Sequence, residues 1–367
     1  MSTGPGRPVT VLLDAHPLSS VAAGSGVGSY TRHLLAALAT RPDVDLHALC
    51  AASVPLPDGV TRLPLRRLGG PARLEVLEHA ARLPFDLHRH RPDGSVFHNP
   101  GFHAPAGVAA PWVQTLFDVI PLVFDSPDLA QLRARWRRFG PRYRRADAVI
   151  AISHHAADEG CRLLGLDPAR LHVAPLGVDS SFVPGAGPAD PPYLLVVSQF
   201  SRRKGFAEAF SVIDHLVDDG YAHRLLVAGR VHPWADKELS ALRATARHPE
   251  RIELLGEVPN LVPLYQGASA FIMSSRYEGF GLPALEAMAC GTPVVAFANS
   301  AVSEVVGPGG QLVADGDVAA LTEAVRAVLD TPALALEWRE RGMSQAAGFS
   351  WDTCAAQHAE VYRAVAQ

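Results

Sequence analysis

The chain has 367 residues, of which 48% are hydrophobic and 19% charged, and it carries a formal net charge of −4. That length exceeds what one hydrophobic core serves, so two domains are expected, and the balance of apolar and charged residues excludes a disordered chain. A charge this close to neutral excludes a general nucleic-acid binder.

The four cysteines, Cys50, Cys161, Cys290 and Cys354, are scattered and form no CxxC pair. Neither a disulfide framework nor a zinc site is expected, and a reducing cytoplasm fits. The first residues lack the apolar core of a signal peptide, and no apolar run approaches the roughly 20 residues that cross a bilayer. The expected location is the cytoplasm, with peripheral contact to the inner membrane face. No internal repeat of solenoid length is visible.

In chain order, Val9–Leu13 is a short apolar run ending in Asp14, as a buried parallel strand does. Gly24-Ser-Gly-Val-Gly28 follows as a glycine loop, and the apolar positions of Tyr30–Ala39 suit an amphipathic helix. Strand, glycine loop and helix in that order open a doubly wound domain. Further strands are expected at Leu46–Ala51, Ser95–His98, Trp112–Phe117 and Ala148–Ser153, and Asp167-Pro-Ala-Arg and Val173–Leu176 bring this half to its end. Between them, Arg133–Arg145 interleaves seven arginines with Trp136, Phe139 and Tyr143, and Pro141 bars one continuous helix through the segment. Such a surface suits anionic lipid headgroups or a phosphate-bearing acceptor; the plainer reading is a solvated helix.

Phe182–Pro192 is rich in proline and glycine and reads as an interdomain linker. A second α/β series then runs through strands expected at Tyr193–Ser198, Arg224–Ala228, Ile252–Leu255, Ala270–Met273 and Pro293–Phe297. A last helix is expected near Trp351–Val365, after Gly348. The expected division is 1–182 for the first domain, 183–192 for the linker and 193–348 for the second domain. The helix in 349–367 is expected to pack back on the first domain. Open α/β sheets bind ligands at the carboxyl ends of their strands, so a cleft between two such domains is the expected site.

The strongest chemical signal is Glu278-Gly-Phe-Gly-Leu-Pro-Ala-Leu-Glu286. Pro283 suits the first turn of a helix that Gly291 would end. The amides of Gly279, Phe280, Gly281 and Leu282 then stand at a helix N-terminus, a ready anion site. Carboxylates at Glu278 and Glu286 would accept hydrogen bonds from vicinal hydroxyls. Taken singly, Glu286 could be a helix-dipole partner and Glu278 a solvated loop charge. A second element, Arg202-Arg-Lys204-Gly, directly follows an expected strand, where cations can stabilise a leaving diphosphate. Lys204 and Lys237 are the only lysines in the chain.

The string from Glu278 to Val295 resembles the E-x7-E motif of glycosyltransferase family 4, retaining enzymes of the GT-B fold. The resemblance extends through Gly26-Val-Gly-Ser-Tyr, Phe97-His-Asn-Pro, Phe117-Asp-Val-Ile-Pro, Ala151-Ile-Ser and Pro175-Leu-Gly-Val-Asp. It implies two Rossmann-like domains, a nucleotide-sugar donor, and a glycan, lipid-linked or small-molecule acceptor. It implies that Glu286 holds the ribose, Glu278 the transferred sugar, and Arg203 with Lys204 the diphosphate. It also implies Gly26 and Val27 at the diphosphate, Val258 near the nucleobase, and Asp118 beside the reaction centre. Mannose from a guanine nucleotide is the first expectation, by likeness to a mannosyltransferase-like subgroup. Two positions depart from the family pattern: Phe117 stands where many relatives have histidine, and Ser198 where some have arginine. His98 and His103 are acceptor candidates, although a lone histidine is more often structural. No metal or cofactor is expected, and the DxD strings Asp43-Val-Asp45 and Asp315-Gly-Asp317 read as surface carboxylates. A nucleotide-sugar epimerase or a sugar-phosphate phosphorylase of the same architecture stays open at this point, as does a catalytically lapsed carbohydrate-binding relative.

Overall fold

The computed structural model describes residues 7–20, 22–64, 91–102, 104, 105, 108, 111–231 and 233–367. It divides into two units. The first runs to Gly177 and takes back Ser350–Gln367, and the second is Val178–Phe349.

In the first unit the strands are β1 (Val9–Asp14), β2 (Val44–Cys50), β3 (Thr61–Pro64), β4 (Val96–Asn99), β5 (Trp112–Leu116), β6 (Ala148–Ala151) and β7 (Leu171–Val173). They form one sheet in the order β3-β2-β1-β4-β5-β6-β7, every pair parallel. β4, β5 and β6 are buried along their whole length; β6 is wholly apolar, while β4 and β5 also bury His98, Asn99, Gln114 and Thr115. The order reverses between β1 and β4, the position where doubly wound sheets open a crevice.

The glycine stretch is not a free loop. The helix Gly26–Ala39 begins inside it, and a Cβ on Gly28 would stand 2.5 Å from the carbonyls of Ala22 and Ala23. Gly28 is the position that only glycine fills. In the arginine-rich segment, a helix over Ala130–Phe139 gives way to a 3-10 turn over Gly140–Arg145 with Pro141 in its first turn. Trp136 and Tyr143 turn inward and pack on each other at 5.4 Å, leaving Arg135, Arg137, Arg138, Arg144 and Arg145 exposed. Phe139 is faced by the guanidinium of Arg142 at 4.7 Å.

The second unit carries β8 (Tyr193–Val197), β9 (Arg224–Ala228), β10 (Ile252–Gly256), β11 (Ala270–Met273), β12 (Val294–Ala298) and β13 (Gln311–Ala314). They lie in the order β10-β9-β8-β11-β12-β13, again all parallel, with the reversal between β8 and β11. The helices Phe206–Asp218 and Val318–Asp330 contribute Phe206, Phe210, Ile213, Leu321 and Val325 to the core against β8, β9, β11 and β12.

The stretch read as a linker is a fixed part of this unit. Gly185 N donates to Cys290 O, Ala189 N to Gly267 O, and Arg339 Nη2 to Gly185 O at 2.7 Å. Its prolines and glycines deny it regular structure, yet its backbone polar groups find partners in the second unit. The chain instead changes unit between Gly177 and Val178. The closing helix, Trp351–Ala366, belongs to the first unit and packs on the helix Gly26–Ala39 and on β1.

Candidate active site

The chemistry-bearing residues of the second unit gather at the carboxyl ends of its parallel strands. After β8 the chain enters a 3-10 turn, Arg202–Lys204, and leaves it through Gly205 at φ 64°. A Cβ there would fall 1.9 Å from Ser274 O, so glycine is required on both conformational and steric grounds. Ser274, just beyond β11, donates its hydroxyl to Gly205 O at 2.7 Å, and Arg276 N donates to Arg203 O at 2.8 Å. These bonds pin the loops after β8 and β11 together across the reversal point.

That pinning brings Arg203 and Lys204 to Glu278. Lys204 Nζ lies 2.5 Å from Glu278 Oε1, and Arg203 Nη1 lies 3.2 Å from Oε2 while also donating to Tyr277 O at 2.7 Å. All three side chains are largely buried, with 14%, 17% and 10% of Lys204, Arg203 and Glu278 exposed. Burial alone would raise the Glu278 pKa, but the two cations outweigh it and hold the carboxyl at about 2. Ser300, beyond β12, accepts a hydrogen bond from Glu278 N at 2.9 Å.

Beyond Glu278 the backbone turns through Gly281, at φ 115°, into the helix Leu282–Ala289. Pro283 occupies the first turn, and the N-cap residue, Gly281, has no side chain with which to cap this end. The Phe280 ring packs edge-on against Phe349 at 5.9 Å. One turn into the helix core, Glu286 accepts from the Tyr265 hydroxyl at 2.7 Å. Desolvation raises the Glu286 pKa to about 7; the Tyr265 bond opposes the rise, and the negative charge of Asp179 adds to it. Glu286 therefore has partners of its own, separate from those of Glu278.

On the other side of β8, Gly229 follows β9 at φ 146° and donates its N–H to Gly256 O at 2.7 Å. Val258 follows β10 and is half-buried. A small, mainly apolar hollow at these strand ends is lined by Ser198, Phe200, Gly229, Val231 and Gly256.

Gly26, Val27, Asp118 and His98 belong to the first unit. Gly26 is exposed at the helix start, and Val27 is buried and accepts from the Thr31 hydroxyl. Asp118 Oδ1 accepts from Ile120 N at 2.9 Å and so holds the turn into the short helix Ile120–Val123. Phe117 packs edge-on against Tyr30 at 5.1 Å and tilted against Phe102 at 5.2 Å.

His98 is not an acceptor-facing residue: it is fully buried in the core of the first unit. The tautomers follow from the bond pattern. His358 Nδ1 donates to Cys354 O at 2.7 Å, so its Nε2 accepts from Tyr30 Oη–H at 2.8 Å. Thr115 Oγ1 then donates to Tyr30 Oη and accepts from His98 Nε2–H, leaving His98 Nδ1 to accept from the Tyr362 hydroxyl at 2.6 Å. This chain of bonds ties the closing helix to β4, β5 and the helix Gly26–Ala39. Burial, with the neighbouring His358, pushes the His98 pKa well below its ordinary value. His103 lies outside the described residues.

Both DxD strings are spent on structure. Asp317 caps the helix Val318–Asp330 through Ala320 N, and Asp315 accepts from Asn299 at 2.7 Å. Asp43 pairs with Arg41 and Arg363, and Asp45 accepts from Thr10 and His47. Among the described residues no three His, Cys, Asp or Glu side chains gather as metal ligands, and no helix is long and apolar enough to cross a membrane.

A family profile described as "Glycosyltransferase Family 4" matches residues 24–182, and one described as "Glycosyl transferases group 1" matches residues 180–345. The chain belongs to glycosyltransferase family 4. O-antigen chain mannosyltransferase B of Escherichia coli is 28% identical over 291 residues, 73% of this chain and 74% of that enzyme. D-inositol 3-phosphate glycosyltransferase 1 of Catenulispora acidiphila is 33% identical over 240 residues, 59% of this chain and 57% of that protein's length. Sucrose-phosphate synthase from Thermosynechococcus elongatus superposes with a TM-score of 0.79 at 24% identity, covering 97% of this chain and 98% of that one. Anabaena HepE in complex with UDP-glucose superposes with a TM-score of 0.69 at 18% identity, covering 97% and 99%. The fold is GT-B, and the chain is a hexosyltransferase of this family.

Three residues of the candidate site had no signal in the sequence. Tyr265 lies 21 positions before its partner Glu286, and Ser300 lies 22 after Glu278. Ser274 reaches Gly205 across 69 positions. Each is brought in by strand order, which no local pattern encodes.

Proposed function

We propose that this glycosyltransferase moves a hexosyl group from a nucleoside diphosphate sugar to a hydroxyl acceptor, with retention at the anomeric carbon. The observation that carries this reading is the Glu278 carboxylate held between Arg203 and Lys204 beside the start of the helix Leu282–Ala289. A donor diphosphate takes the two cations and the backbone amides at that helix start, and the transferred sugar takes Glu278. Glu286, steadied by Tyr265, takes the ribose hydroxyls, and Val258 stands beside the base.

In this reading the bond from C1 to the diphosphate oxygen breaks as the bond from C1 to the acceptor oxygen forms on the same face. The acceptor proton passes to the departing phosphate. The protein orients the donor and stabilises the charge that develops on the diphosphate, and Arg203 and Lys204 supply that positive charge without a divalent ion. Mannose carried on guanosine diphosphate is the donor placed first, supported by the name of the E. coli relative. The UDP-glucose complex of Anabaena HepE supports UDP-sugars as the competing class, with dTDP-sugars third.

A thermal-shift screen of nucleotide sugars, followed by product analysis with labelled donor, tests the reading. One donor class should raise the melting temperature and release its nucleoside diphosphate, with the anomeric configuration kept in the product. Donor hydrolysis at full rate by both Lys204→Ala and Glu286→Ala variants would overturn it.

The exposed arginines of Arg135–Arg145 support an anionic acceptor side, such as the headgroups around a lipid-linked acceptor. The enzyme should sediment with phosphatidylglycerol vesicles and not with phosphatidylcholine vesicles, and Arg135→Glu with Arg138→Glu should abolish this. Equal partition between the two vesicle types would count against it.

A further inference from the structure

Among the described residues Ser300 alone, glycines aside, has a positive φ, at 42°. A side chain in the left-handed region is disfavoured by the clash of Cβ with the backbone, and such strain persists only where surrounding bonds impose it. Here those bonds can be named. Ser300 Oγ accepts from Glu278 N at 2.9 Å and donates to Asn299 Oδ1 at 2.9 Å. The Asn299 amide in turn donates to Ser275 O at 2.9 Å and to Asp315 Oδ1 at 2.7 Å. The next residue, Ala301, donates its N–H to Glu278 O at 3.4 Å. The backbone of Glu278 is therefore gripped at its amide by a strained side chain and at its carbonyl by the following peptide.

Glycine would adopt this backbone without strain but would leave Glu278 N without its partner. Alanine would keep the strain and lose the bond. The residue present keeps both, which is informative because the carboxylate it steadies has its oxygens drawn toward two cations on another loop. Without a fixed backbone, Glu278 could follow Lys204 and Arg203 wherever a diphosphate drew them.

We infer that Ser300 is a positioning residue: its hydroxyl holds the Glu278 backbone so that the carboxylate meets the transferred sugar, while diphosphate affinity is left to other groups. This rests on the reading that Glu278 contacts that sugar. Strain at Ser300 is the cost of keeping the hydroxyl where a glycine would be relaxed.

The test compares Ser300→Gly, Ser300→Ala and Glu278→Gln with the wild-type enzyme. The probes are GDP-mannose with GDP and UDP-glucose with UDP, whichever pair stabilises the protein. The expected result for both Ser300 variants is nucleoside diphosphate affinity within about 2-fold of wild type and kcat lower by roughly 10- to 100-fold. The extra affinity of the nucleotide sugar over its diphosphate should disappear. Ser300→Gly should melt no lower than wild type, because the backbone strain is relieved. Wild-type turnover in both Ser300 variants beside an inactive Glu278→Gln would overturn the role of Ser300 and leave that of Glu278 standing. Parallel loss of melting temperature, diphosphate binding and turnover would reduce Ser300 to a structural residue and overturn the proposal as well. A fully active Glu278→Gln would instead remove the reading on which it rests.

Discussion

Lys204 Nζ and Glu278 Oε1 lie 2.5 Å apart, so the lysine proposed to hold a donor diphosphate is neutralised by the acid proposed to hold the donor sugar. Before donor arrives each supplies the counter-charge that lets the other be buried. In the proposed function, donor binding exchanges one anion for another at the cations and frees the carboxylate for hydroxyl donors. Replacing Glu278 by glutamine should separate these roles. The cations lose a competing anion, so the nucleoside diphosphate should bind more tightly, by roughly 3- to 10-fold, while transfer falls by roughly 100-fold. Titration calorimetry with the diphosphate and a transfer assay would read the two effects. Weaker diphosphate binding in Glu278→Gln would contradict this account.

Gly205 is the joint of the same cluster. Its φ of 64° and the 1.9 Å approach of a Cβ to Ser274 O leave no room for any side chain. Gly205→Ala should destabilise the second unit by more than about 1 kcal/mol, because backbone rather than a flexible side chain must move. The movement would pull Arg203 and Lys204 away from Glu278, so turnover should fall in the fraction that remains folded. Urea denaturation beside an activity assay measures both, and unchanged midpoints would refute the steric argument.

The residues that could be read directly are those whose local sequence enforces their geometry. Arg224–Ala228 and Ala270–Met273 were expected as strands with the bounds they have, because strands buried on both faces need continuous apolar runs. β3 and β13 escaped notice because each lies at a sheet edge, where Thr61–Pro64 and Gln311–Ala314 pair on one side and need no such run. The Glu278–Glu286 string was legible because its glycines, proline and acids obey helix-start chemistry. The misreading of His98 has the opposite origin. A histidine at the end of a strand looks available until Thr115 and Tyr362, 17 and 264 positions away, are brought onto its two nitrogens.

Glu286 carries a pH dependence whose sign follows from its burial. Its pKa rises from an ordinary 4.5 to about 7, so the folded protein holds the proton more tightly than the unfolded chain. The stability from this group is therefore complete below 4.5 and is lost as pH climbs through about 7. In the proposed function Glu286 holds the ribose hydroxyls as a carboxylate, so nucleotide affinity should change in the opposite direction. It should grow by about tenfold per pH unit well below pH 7 and level off above it. Glu286→Gln should abolish this slope and weaken binding most above pH 7. A wild-type affinity that is flat with pH, or a slope retained by the glutamine variant, would reject the assignment of Glu286.

The buried chain from His358 through Tyr30 and Thr115 to His98 and Tyr362 predicts a different response in the first unit. Both rings are neutral in the pattern of bonds described, each with one nitrogen donating and one accepting. Burial lowers the His358 pKa from 6.5 to about 4, an effect its bond to Cys354 only partly offsets, and His98 is also well below its ordinary value. The unfolded chain thus binds protons that the folded one refuses. Stability from these groups is complete above 6.5 and is lost as pH falls through about 4. The two rings join the closing helix to β4, β5 and the helix Gly26–Ala39, so the loss should appear first as faster amide exchange in Trp351–Ala366. His358→Gln should flatten the decline of the denaturation midpoint by about one proton's worth. A midpoint in the variant that falls with acid as steeply as in the wild type would place the acid sensitivity elsewhere.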